Sequence, residues 1–124
     1  MNVKIDTKEI FHVITINEPI LSANMAEELK AICLEVNTPT SISIVLNMEQ
    51  VEEMDHAVAL VLQELHEKQY MHKKSFVICG IKPVIKSTLQ EHDIFETLNL
   101  TPTESEAWDI VQMEEIEREL DLDI

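Results

Sequence analysis

Apolar and polar residues alternate through residues 2–6 and 10–16, on either side of the polar turn Thr7-Lys8-Glu9, which predicts a hairpin of two strands with the first at a sheet edge. The apolar spacing then changes from two to between three and four. Asn24 with Glu27 three positions on forms a capping-box pattern, and Met25, Leu29, Ile32, Cys33 and Val36 follow on one helical stripe. That helix is expected to end near Asn37, ahead of Pro39. Ser41-Ile42-Ser43-Ile44-Val45-Leu46 then reads as a buried strand, followed by a loop and a helix over 55–70 whose core face is Val58, Val61, Leu62 and Leu65. A second apolar strand, Ser75-Phe76-Val77-Ile78-Cys79, is closed by Gly80, the only glycine.

Lys82-Pro83-Val84 sets proline in the first turn of a further helix, with Val84, Ile85 and Leu89 expected inward and His92-Asp93 breaking it. A short strand is predicted near 96–100. Thr103-Glu104-Ser105-Glu106 is a second capping box, opening a helix that buries Trp108, Val111 and Ile116. Acids dominate from Glu114 onward, and the stretch 117–124 is expected to fray.

Strands alternating with helices in the order β-β-α-β-α-β-α-β-α imply crossover connections. The predicted fold class is α/β: a mixed sheet of about five strands covered by about four helices, one domain over residues 1–124. Ile44, Leu46, Val77, Cys79, Val61 and Leu65 are expected to share one core, with the two apolar strands adjacent and parallel.

Charge narrows the partners. The formal net charge is −15, from 24 acidic residues against nine basic ones, and Arg118 is the single arginine. Phosphate binding needs clustered cations, so nucleic acid is excluded as a partner and a protein with a basic face is favoured. No apolar run approaches the roughly 18–20 residues that a bilayer needs, so the chain reads as cytoplasmic, without membrane insertion. Cys33 and Cys79 lack CxxC spacing and are expected as buried free thiols of a reducing compartment.

Catalytic patterns do not emerge. The histidines, His12, His56, His66, His72 and His92, lie on separate elements without HxH or HExxH spacing and are expected at the surface. A nucleophile elbow and a glycine-rich phosphate loop are both missing, and with a single glycine a nucleotide cradle is disfavoured. The expectation is a protein that is not an enzyme and carries no cofactor or metal.

The chemistry that remains lies where the strand ending at Leu46 passes through Asn47-Met48-Glu49-Gln50-Val51-Glu52-Glu53-Met54 into Asp55-His56-Ala57-Val58. Asp55 is placed to cap the helix. The segment resembles the regulatory loop of STAS domains, the bacterial anti-sigma-factor-antagonist family, whose members usually read Asp-Ser-Ser-Gly with the second serine phosphorylated by a partner kinase. Here Asp55 matches, while Ala57 stands at the acceptor position and Val58 at the glycine. The stretch Phe76-Val77-Ile78-Cys79-Gly80-Ile81-Lys82-Pro83-Val84-Ile85-Lys86, with Leu89 beyond it, is similar to the family's second landmark, a buried strand turning into a helix. Asp93-Ile94 takes the place of its usual glycine-leucine pair.

The resemblance implies a protein-interaction module of transcription regulation, binding an anti-sigma factor or other regulatory partner without the serine switch. Its expected contact residues are Met48, Glu52, Glu53, Met54, Asp55, His56, Ala57 and Val58, with Met54, His56, Glu52 and Glu53 largely exposed. The alternative is a structural STAS subunit of a transporter or signalling assembly. Homodimerisation is left open.

Overall fold

The computed structural model describes residues 1–36 and 42–122. Asn37, Pro39 and Ser41, where one helix end and one strand start were expected, lie outside the described residues, as do 123–124 of the acidic tail.

The elements run β1 (Val3–Thr7), β2 (Phe11–Ile16), β3 (Ile20–Leu21), α1 (Ala23–Val36), β4 (Ser43–Asn47), β5 (Glu53–Met54), α2 (His56–Met71), β6 (Phe76–Cys79), α3 (Pro83–Glu91), β7 (Asn99–Thr101) and α4 (Glu104–Leu122). Five strands form one sheet in the order β1-β2-β4-β6-β7. β1 pairs antiparallel with β2 as the edge, and β2, β4, β6 and β7 are mutually parallel. Every residue of β4 and of β6 is buried. A parallel strand covered on both faces favours apolar residues at successive positions, here Ile44-Val45-Leu46 and Phe76-Val77-Ile78-Cys79, which is why these segments read so clearly in the sequence.

Side-chain alternation divides the core into two layers. Ile44 and Leu46, which pair with Phe76 and Ile78, face α1 and α2 and join Leu29, Val58, Leu62 and Leu65. Val45, Val77 and Cys79 point the other way, onto Ala107 and Val111 of α4. The expected single core is corrected accordingly: Val77 and Cys79 are one residue out of phase with Ile78, and so lie across the sheet from Ile44 and Leu46.

Several local expectations also shift. α1 begins at Ala23, where Met25 N–H donates to the Ser22 carbonyl at 3.0 Å, so Asn24 is inside the helix instead of capping it. Val84 is exposed while Ile85 and Leu89 are buried, because Val84 is about 100° around the helix from Ile85. Ile116 is exposed too, and Arg118, seven positions after Val111, takes the inward place, donating to Ser75 Oγ at 2.8 Å and to Glu115 at 3.3 Å. α4 continues through Leu122, helical within the stretch expected to fray. The strand expected near 96–100 forms at Asn99–Thr101.

Two histidines are less exposed than expected. His12 is buried, with a ring nitrogen 3.0 Å from Thr7 Oγ1, and His66 is half-buried against the rings of Tyr70 and Phe76. Burial lowers the pKa of both, because the charged ring loses hydration. Burial pushes both free thiols up to about 12, so Cys33 and Cys79 pack as small apolar groups.

Candidate functional site

At the end of β4 the Asn47 side chain turns the chain. Its Oδ1 accepts from Glu49 N–H at 2.9 Å, and its Nδ2 donates to Glu104 at the start of α4 at 3.2 Å. Met48 N–H donates to the Cys79 carbonyl at 3.0 Å, and Val51 N–H closes a turn onto the Met48 carbonyl at 3.1 Å. Both of these side chains are fully buried and anchor the loop from beneath. Glu49 and Gln50 form its exposed tip.

The tip is held from the neighbouring loop. Lys82 Nζ donates to the Glu49 carbonyl at 2.6 Å. Gly80 has φ +73, and a Cβ built there would lie 2.5 Å from Glu49 Cγ, so this close crossing uses both the left-handed backbone and the missing side chain of glycine.

On its other flank the loop joins a two-stranded parallel sheet that sequence reasoning missed, since two residues are too few to show an alternation. Ile20 pairs with Glu53 and Leu21 with Met54. Glu52 and Glu53 N–H both donate to the Pro19 carbonyl, at 2.7 and 3.1 Å, and Asp55 N–H donates to the Leu21 carbonyl at 2.9 Å. The pairing turns Met54 inward to 8% exposure, which overturns its expected exposure. Met48 and Val58, each at 0%, are likewise core residues. Ala57 is half-buried.

Of the expected contact residues, Glu52, Glu53, Asp55 and His56 are the exposed ones. Asp55 is the N-cap of α2, with extended backbone (φ −74, ψ 154), and its carboxylate accepts from Ala57 N–H at 2.9 Å. Replacing Asp55 with Ala removes that bond and is expected to lower stability by about 1 kcal/mol, while Asn is expected to keep most of it. Urea unfolding of the two variants checks the difference.

The fold also brings in a residue that no local pattern groups with this loop. His92, the C-cap of α3, lies beside His56 with ring centroids 3.8 Å apart and planes tilted by 41°. Together with Glu49, Gln50, Glu52, Glu53 and Asp55, the two exposed rings make a ridge that is mostly acidic. The depressions beside the ridge are open, and among the described residues no three His, Cys, Asp or Glu side chains gather as a metal-ligand set. No helix among the described residues is long and apolar enough to cross a membrane.

A family model for the STAS domain matches residues 2–107. No curated protein matches the chain. Among solved structures, RsbS from Moorella thermoacetica is similar at a TM-score of 0.76 and 22% identity, over 90% of this chain and 96% of that one. An anti-sigma factor antagonist from Mycobacterium paratuberculosis superposes at a TM-score of 0.78 and 16% identity, covering 90% and 93% of the two chains. A sulfate transporter family protein from Wolinella succinogenes gives 0.70 and 18%, covering 86% and 91%. At these identities the likeness carries the fold.

Proposed function

This chain belongs to the STAS domain family, and on that footing we propose that it is a non-catalytic interaction module that docks an anti-sigma factor, or a related regulatory protein, on the ridge of residues 49–56 plus His92. One observation supports this most strongly. The ridge is fixed by backbone hydrogen bonds to Pro19, Leu21 and Cys79 and by Lys82, none of which uses an exposed side chain of the ridge itself. The backbone of the ridge is therefore ordered before a partner arrives, and the ordering cost of binding falls on its side chains alone.

The sign of the ridge selects the partner. Acidic side chains concentrated on one edge of a chain of net charge −15 favour encounter with a basic face. The usual family switch places a phosphoryl group, carrying about −1.5 to −2 charge, near the start of this helix. Ala57 has no hydroxyl to accept one, and the stretch from Asn47 to Val58 contains no Ser, Thr or Tyr. The binding surface would then persist whether or not a kinase is active.

The test is to mix the protein with an anti-sigma factor of histidine-kinase-like fold from the same organism, with and without ATP. A complex is expected in both conditions, with no added phosphate in the intact mass of this chain. Ala57→Ser is expected to accept phosphate where the kinase interface survives. Failure to form any complex contradicts the reading and favours a structural role in a transport-associated assembly. A complex dissolved by ATP, with phosphate on Ser22, Ser87 or Thr88, would show a switch of another geometry.

A further inference from the structure

On α4, Ala107, Val111 and Arg118 point toward the sheet, and the helix carries a second apolar stripe on its opposite side. Met113, Ile116 and Leu120 are 57%, 58% and 59% exposed. Their spacing of three and then four residues sets them on one line along the helix, the spacing of a coiled-coil seam. Exposed apolar residues are ordinary when scattered, but three on one helical line form a contiguous strip with no packing role among the described residues. The strip also lies beyond residues 2–107, the part of the chain that matches the family.

Side-chain contacts on the inner face hold the helix in the phase that leaves this strip outward. Tyr70 O–H donates to Glu114 at 2.7 Å, and Arg118 donates to Ser75 Oγ at 2.8 Å, which ties the same two turns of α4 to α2 and to the residue preceding β6. Trp108, edge-on to Phe11 at 5.3 Å, holds the start of the helix against β2.

Charge identifies what fits. Glu106, Asp109, Glu117 and Glu119 are exposed around the strip, and Arg118, the one basic residue of α4, is turned inward. A second copy of this chain would bring the same acids against each other, and nucleic acid or an anionic lipid surface would be repelled. We infer that the outer face of α4 is a second docking surface, for an amphipathic helix of a partner protein whose apolar seam is flanked by Lys or Arg. This inference does not depend on the ridge at the start of α2 being a docking site.

The probe is a labelled synthetic helix with leucines along its seam and lysines on both flanks, set against a scrambled isomer of identical composition and read by fluorescence anisotropy. The wild-type protein is expected to bind the seam peptide at least tenfold tighter than the scrambled one. Met113→Gln/Ile116→Gln/Leu120→Gln keeps the charge and good helix formers, and is expected to lose that preference while retaining the wild-type circular dichroism spectrum. A second variant, Asp109→Lys/Glu117→Lys, is expected to prefer a glutamate-flanked seam peptide. Equal binding of seam and scrambled peptides by the wild type, or an unchanged preference in the triple variant, overturns the inference. So does a dimer in sedimentation that the triple variant dissociates, since a second copy would then cover the strip.

Discussion

Phe76→Ala is expected to lower the unfolding free energy by about 3–5 kcal/mol, a large share of the roughly 5–15 kcal/mol that holds a domain of this kind together. Phe76 is fully buried, opens β6 opposite Ile44, and meets the edge of the His66 ring with centroids 6.5 Å apart. Truncation loses the transfer free energy of the ring and leaves a cavity between the sheet and the helices α1 and α2, where close packing makes relaxation poor. Urea denaturation is the measurement, with Val84→Ser as a control on an exposed residue, expected to change stability by no more than about 0.5 kcal/mol. A Phe76→Ala loss below about 1 kcal/mol would mean that β6 is not the packed centre described above.

Glu52→Lys/Glu53→Lys is expected to weaken capture of a basic-faced regulatory partner by about tenfold or more at low ionic strength. The doubly reversed charge acts on association over long range when the screening length is near 30 Å at 0.01 M salt, and much less near 8 Å at 0.15 M. The effect is therefore expected to shrink as salt is raised. Folding should be almost untouched, because both residues hold the loop through backbone N–H groups and their side chains are exposed. Unchanged capture at low salt would move the docking site away from this ridge.

The sheet and its helices were legible because their signals are long. β6 is an unbroken apolar run, β4 carries Ile44, Val45 and Leu46 at its centre, Val58, Val61, Leu62 and Leu65 repeat at helical spacing, and Asp55 stands where an N-cap belongs. Features set by tertiary contact were not legible. The Ile20–Leu21 strand takes its identity from Glu53–Met54 alone, and it is this pairing that buries Met54 although Met54 sits in a polar loop. The capping-box spelling at Asn24 and Glu27 competed with a start two residues earlier, fixed by the Ser22 carbonyl. Ile116 has the right chemistry for a core, but the phase of α4 is set by Ala107 and Val111, which turns it outward. The approach of His56 to His92 joins the ends of two helices, and no local pattern reports it. At the candidate site the loop and the Asp55 cap were thus readable, while the exposed face emerged only from the fold.

Amide hydrogen exchange of this chain, free and saturated with the proposed regulatory partner, locates the docking surface without any substitution. Slowed exchange is expected across residues 49–58 and around His92, with β1 unchanged. Protection confined to other surfaces, with the ridge exchanging as fast in the complex as in the free protein, would contradict the account.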